Sequence, residues 1–176
     1  MARLSFIIVV FLLCVSFIYA TKIVDVNTIC KNTINPSFCS TLLNSKSGAS
    51  RDLVSLAQYT IDVAHTNATN TINLIEKLIA QKGSSEEAQM HYHSCLSHFN
   101  EIVDILVDSK VLLKRKIYDS AVQEANSIRI HVDNCISGDS PGESPYHDTS
   151  LLPKYAAIVD QVAQIISTIE NYLVPA

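Results

Sequence analysis

No tryptophan occurs in this sequence, and glycine is nearly as scarce, with four residues in 176. With aromatic residues at only 7%, no groove lined by rings for stacking sugars or bases can be traced. The shortage of glycine excludes a phosphate-cradling loop, and no serine sits in a G-x-S-x-G elbow. Apolar and polar residues nowhere alternate with period two over a useful length, so strands are not supported. Basic residues are outnumbered, 13 to 17, for a formal net charge of −4. That balance argues against a nucleic-acid or anionic-membrane partner recruited by bulk charge.

The longest apolar run comes first. Residues 1–20 read MARLSFIIVVFLLCVSFIYA, with Arg3 as a short positive region and Ala20 as a small residue at a cleavage point. The pattern is that of a secretory signal peptide. Read as a membrane anchor, the run falls short of the roughly 20 residues that a span needs, and no basic cluster follows it. Cleavage would leave residues 21–176 as an exported, membrane-free chain. It would carry 12 basic and 17 acidic residues, a net charge of −5. Cys14 would leave with the leader, and four cysteines would remain: Cys30, Cys39, Cys95 and Cys135. An even number in an exported chain points to two disulfides, and four cysteines allow three pairings.

Breakers are rare but well placed. Neither Gly nor Pro occurs between Ser50 and Lys82, or from Ser84 to Ser137. A turn cluster, GDSPGESP, then spans Gly138 to Pro145, and the chain runs unbroken from Pro153 to Pro175. Apolar residues recur every three or four positions in each run. They form one stripe from Leu53 through Ala57, Thr60, Ala64, Ala68, Thr71 and Ile75 to Leu78. Another runs from Ala88 through Tyr92, Cys95, Phe99 and Ile102 to Leu106. A third runs from Tyr118 through Ala121, Ala125, Ile128 and Val132 to Cys135. The last runs from Leu151 through Tyr155, Ile158, Val162, Ile165 and Ile169 to Leu173. Four amphipathic helices with short connections predict an all-α, up-down-up-down bundle over residues 49–176. A turn at residue 115, within Lys114-Arg115-Lys116, would bring Cys95 opposite Cys135 in an antiparallel pair. That geometry favours Cys95–Cys135 and leaves Cys30–Cys39. Residues 21–48 read as a short helical hairpin bent at Asn35-Pro36, too small to bury much surface unaided. A Cys30–Cys39 staple there is structural rather than redox, because the spacing is not C-x-x-C.

Candidate chemistry is thin. His91, Cys95 and His98 share a helical face at zinc-ligand spacing, but a cysteine committed to a disulfide is no ligand, and we expect no metal and no cofactor. Glu101, Asp104 and Asp108 lie on one solvated face, and no pair of carboxylates converges for acid–base work. Lys110, Lys114, Arg115 and Lys116 form the one basic patch. We read it first as a solvated turn, with contact to an acidic partner as the functional alternative. Asn67-Ala68-Thr69 is a glycosylation sequon.

These pieces together resemble one known family. A leader precedes C-K-x-T-x-x-P-x-F-C at Cys30–Cys39. Cys95 and Cys135 lie in the second and third bundle helices, Tyr118-Asp-Ser-Ala121 opens the third, and Ser144-Pro145 precedes an apolar last helix. The whole mature chain is similar to the plant invertase and pectin methylesterase inhibitor family. The resemblance implies a four-helix bundle with an N-terminal helical hairpin, and disulfides joining first to second and third to fourth cysteine. It also implies export to the cell wall, no catalytic activity, and a 1:1 complex that blocks the active-site cleft of pectin methylesterase or of acid invertase. Invertase inhibitors of this kind often carry Pro-Lys-Phe before the third bundle helix. Lys116-Ile117-Tyr118 stands near that place here, with neither Pro nor Phe. Tyr118, with sixteen residues between it and Cys135, resembles the pectin methylesterase side and a pollen-allergen-like branch. Helix phase marks Gln58, Asp62, Asn73, Glu76 and Asn100 as exposed partner-binding candidates, with Lys114, Arg115 and Lys116 at the hairpin tip. A lipid or small-ligand carrier with space around Ala57, Ala64, Ala68, Ala121 and Ala125 is the alternative from another class. A bundle kept for storage, without a target, is a third reading.

Overall fold

The computed structural model describes residues 24–47, 52–139 and 145–175. The leader read at residues 1–20 and most of the GDSPGESP turn lie outside the described residues. Among the described residues six helices follow in order: α1 Val26–Cys30, α2 Pro36–Ser45, α3 Leu53–Ile79, α4 Glu86–Arg115, α5 Tyr118–Ser137 and α6 Leu152–Leu173. The described residues contain no strand.

Local chemistry sets the helix boundaries. The Asn35 side chain accepts from the Phe38 amide at 3.1 Å, and Pro36 opens α2 where its missing N–H costs nothing. Asp52 caps α3 through the Ser55 amide at 3.0 Å, and Ser85 caps α4 through the Ala88 amide at 3.1 Å. Glu86 and Glu87 then complement the α4 dipole. At its other end α4 stops without a glycine. Lys116 adopts φ 61°, ψ 31°, its amide donates to Leu113 O, and the Ile117 amide reaches back to Leu112 O at 3.0 Å. That is a Schellman turn on a lysine. It reverses the chain within the Lys114–Lys116 segment.

The four long helices pack in a ring, each against its neighbours in sequence, and α6 closes the ring against α3. Every residue of the first two stripes is buried, from Leu53 to Leu78 on α3 and from Ala88 to Leu106 on α4. The third is buried from Ala121 to Cys135. The fourth needs correction at its start. Leu151 and Tyr155 are exposed, while Leu152, Ala156 and Val159 are buried. Helix α6 has apolar residues on adjacent lines, because α3, α5 and the α1–α2 hairpin all cover it, so a phase shifted by one residue fits the spacing equally well. Ala57, Ala64, Ala68, Ala121 and Ala125 are fully buried within the core, where small side chains let helix backbones approach.

The hairpin is closed by Cys30–Cys39, with Cα atoms 5.4 Å apart, and seated on α6 by polar contacts. Gln164 Oε1 accepts from the Ile34 amide at 2.8 Å, Gln161 Oε1 from Asn35 Nδ2 at 2.9 Å, and the Tyr172 hydroxyl from Asn32 Nδ2 at 2.9 Å. Ile29 and Leu43 supply its fully buried apolar contacts. Cys95 and Cys135 join α4 to α5, with Cα atoms 4.5 Å apart.

Candidate functional site: outer helix faces and a polar cluster at the bundle end

Two of the partner-binding candidates come together. Asp62 on α3 pairs with Lys110 Nζ on α4 at 2.6 Å, and Gln58 Nε2 donates to Asp62 Oδ1 at 3.3 Å. Gln58 is half-buried rather than exposed, because it lies against α4. It lines a groove of about 590 Å³ with Val54, Ser55, Lys110, Val111 and Lys114. The floor of this groove is apolar, Val54 and Val111 are exposed, and lysines stand at its rim. Arg115 and Lys116 extend the positive charge around the hairpin tip and are exposed.

The other candidates lie apart. Asn73 is fifteen residues further along α3, about 22 Å at helical rise, beside Asn70, Leu74, Lys77 and the α6 residue Tyr155. Glu76 and Asn100 are exposed on α3 and α4 and line neither groove. Helix phase identified outward positions but not which neighbouring helix each would face. Asn67 is half-buried in the middle of α3, where its Nδ2 donates to Val63 O at 2.8 Å.

An array of polar side chains extends the His91–Cys95–His98 face to residues that the sequence does not connect with it. It lies at the end of the bundle where α4 begins and α5 ends. The Asp148 side chain lies there, only 4% exposed. Its Oδ1 accepts from the Tyr92 hydroxyl at 3.2 Å and from the Ser150 amide at 2.7 Å, while His91 Nε2 stands 3.5 Å from Oδ2. Burial, reinforced by the Asp148 charge, pushes the Tyr92 phenol up to about 12. Burial likewise lowers His91, against the pull of Asp148. Tyr146 packs on His91 with ring centroids 4.7 Å apart. One turn further, Asp139 accepts from Ser94 Oγ at 3.0 Å and from His98 Nε2 at 2.8 Å. The Ser94 bond, then the His98 contact, hold the Asp139 carboxyl below its ordinary range.

This array contains serine, histidine and aspartate but not the geometry of nucleophilic catalysis. A triad needs the serine on the histidine and the histidine on the acid. Here Ser94 and His98 both bind Asp139, so no base stands ready to take the serine proton. Cys95, the sulfur of the suspected zinc face, is in a disulfide. The array ties the 145–150 segment to α4.

Fold and site together define a stapled helical bundle whose outer faces, rather than a catalytic cleft, carry its distinguishing surface. The sequence model of the plant invertase/pectin methylesterase inhibitor family matches residues 24–169, and the chain belongs to that family. The family is made of proteinaceous inhibitors, so the chain is not an enzyme. Pectinesterase inhibitor 1 of Arabidopsis thaliana is 33% identical over 99 residues, 56% of this chain and only 55% of that protein. The pectinesterase inhibitor of Actinidia deliciosa is 27% identical over 153 residues, 84% of this chain and 78% of that protein. Among solved structures, a mutant form of a pectin methylesterase inhibitor from Arabidopsis superposes with a TM-score of 0.71 at 25% identity, covering 82% of this chain and 93% of that one. A second Arabidopsis inhibitor structure, at 24% identity and a TM-score of 0.63, shares the fold.

Proposed function

We propose that this protein is an exported inhibitor of pectin methylesterase, which it binds 1:1 and blocks at the substrate cleft. The observation that carries this reading is that the relatives matched over most of this chain are named for pectinesterase inhibition. The absence of Pro and Phe around Lys116-Ile117-Tyr118 supports it over acid invertase as the target. No helix among the described residues is long and apolar enough to cross a membrane, which agrees with export to the cell wall.

The docking face in this proposal is the α3–α4 surface around Gln58 and Asp62, with Lys110, Lys114, Arg115 and Lys116 beside it. Its Val54 and Val111 floor offers apolar area, and its rim offers charge for orientation. Rigid helices bearing the contacts lose little entropy on docking. The test is parallel titration of pectin methylesterase and acid invertase at mildly acidic pH. Stoichiometric inhibition of the esterase alone is expected, and inhibition of invertase alone overturns the assignment. Lys114→Glu should weaken inhibition at least tenfold if this face docks, whereas unchanged inhibition moves the interface elsewhere.

A further inference from the structure

Two imidazoles on different helices bring the same kind of nitrogen together. His98 on α4 and His131 on α5 stand 3.1 Å apart, Nδ1 to Nδ1. They lie one helical turn from the Cys95–Cys135 bridge, on the same pair of helices. The other nitrogen of His98, Nε2, is 2.8 Å from Asp139 Oδ1, and Ser94 Oγ holds Oδ2 at 3.0 Å. A carboxylate only accepts, so His98 Nε2 carries a proton, and in the neutral ring Nδ1 keeps its lone pair 3.1 Å from His131 Nδ1, which donates to it when no ion is bound. A ligating histidine whose second nitrogen donates to a carboxylate has the usual outer-sphere arrangement of a metal site.

The spacing also fits. Two nitrogens bound at about 2.0–2.1 Å lie roughly 2.9 Å apart as a cis pair in a tetragonal centre and roughly 3.3 Å apart in a tetrahedral one. The 3.1 Å separation falls between these values. Glu101, one turn along α4 from His98, is exposed, and its charge is felt at His131. No three ligand side chains already converge among the described residues. The pair therefore leaves positions open to water or to Glu101.

We propose that His98 and His131 form a two-imidazole site for a divalent late-transition-metal ion, Zn²⁺ or Cu²⁺, with Asp139 as its outer-sphere carboxylate. The ion would bridge α4 and α5 beside the disulfide. The site is independent of which enzyme the inhibitor binds.

Titration calorimetry of the oxidised mature protein with ZnCl₂ at pH 7.5, in a non-chelating buffer, tests this directly. One ion per chain is expected. His98→Ala and His131→Ala should each weaken binding at least tenfold, and Asp139→Asn should weaken it about tenfold while keeping the stoichiometry. His93→Ala, an exposed neighbour on α4, should change nothing. The wild-type protein supplies a readout that needs no variant: Cu²⁺ should broaden the imidazole NMR signals of His98 and His131 before those of His65, His93 and His147. Absence of stoichiometric Zn²⁺ binding, wild-type affinity in His131→Ala, or broadening that starts at His65, His93 or His147 overturns the proposal.

Discussion

At the end of the bundle where α4 begins, Cys95–Cys135 joins two helices, and Asp148 and Asp139 gather hydroxyl, amide and imidazole donors. At the opposite end, where α4 turns at Lys116 and α6 finishes, no disulfide joins the bundle helices. There Glu170 is fully buried with neither carboxyl oxygen hydrogen-bonded among the described residues, and Ser109 Oγ is likewise buried without a partner. Both ends bury polar atoms, but at the first only Asp148 Oδ2 lacks a hydrogen bond among the described residues, and His91 Nε2 stands 3.5 Å from it. A buried carboxyl that finds partners can stay charged, and one that finds none must stay neutral. The first end should therefore hold over a wide range of pH, and the second should depend on it.

The largest effect follows from Glu170. Burial pushes its carboxyl from 4.5 up to about 8. Below pH 4.5 the group is protonated whether the chain is folded or not. As pH rises toward 8 the unfolded chain loses that proton and the folded one keeps it, so stability falls across this window and levels off above it. The upper bound is roughly 5 kcal/mol at about 1.4 kcal/mol per unit. Glu170→Gln should be nearly neutral at pH 4.5 and stabilising by several kcal/mol at pH 8, as read from urea midpoints. The same difference at both pH values would break the contrast between the ends. In an acidic extracellular setting the native carboxyl would remain in its neutral, tolerated form.

Next in size is the covalent tie at the first end. Replacing both Cys95 and Cys135 by Ala opens a loop of sequence separation 40, worth about 4 kcal/mol by chain entropy. Opening Cys30–Cys39, of separation 9, should cost about 3 kcal/mol on the same arithmetic, with the loss centred on the hairpin. The bundle double variant sharpens the comparison, because the pH slope due to Glu170 should survive in it. Loss of the slope along with the disulfide would mean that the two ends are coupled.

The first end also allows a smaller cut. Tyr92→Phe removes one donor from the buried Asp148 and should cost about 1–2 kcal/mol, measured by thermal or urea unfolding near neutral pH. No loss would mean that the Ser150 amide and His91 are sufficient for that carboxyl.

How much of this could be read from the sequence depended on whether an interaction lay within one helix. The stripes of α3 and α4 were legible because a three- or four-residue apolar spacing reports one helix's own face. The wide face of α6 blurs the phase, so the spacing puts Leu151 and Tyr155 inside when Leu152 and Ala156 are. Acids read by default as solvated, which hides Glu170, although it follows the buried Ile166 by four residues. The sequence pairs His98 with His91 on its own helix, whereas its partners His131 and Asp139 belong to α5 and the segment after it. A signal was present: His98 lies three residues after Cys95 and His131 four before Cys135, so the expected disulfide already sets them side by side. The surface candidates divide on a different ground. Exposure marks where a partner could touch but not which exposed positions share a face, and so helix phase groups Asn73 with Gln58 although they adjoin different helices.

The smallest effect tests whether the turn at the second end is strained or merely charged. Lys116 holds φ 61°, a left-handed conformation that costs a residue with a Cβ roughly 1 kcal/mol. Glycine adopts it without that cost, so Lys116→Gly should stabilise by about 1 kcal/mol, whereas Lys116→Ala removes the same charge and keeps the strain. If both variants gain equally, repulsion among Lys114, Arg115 and Lys116 outweighs strain at the tip. If only the glycine variant gains, the tip carries backbone strain that a free choice of residue would relieve. Whether the Lys116 side chain also contacts pectin methylesterase is then read from the inhibition constant of Lys116→Gly rather than from its melting temperature.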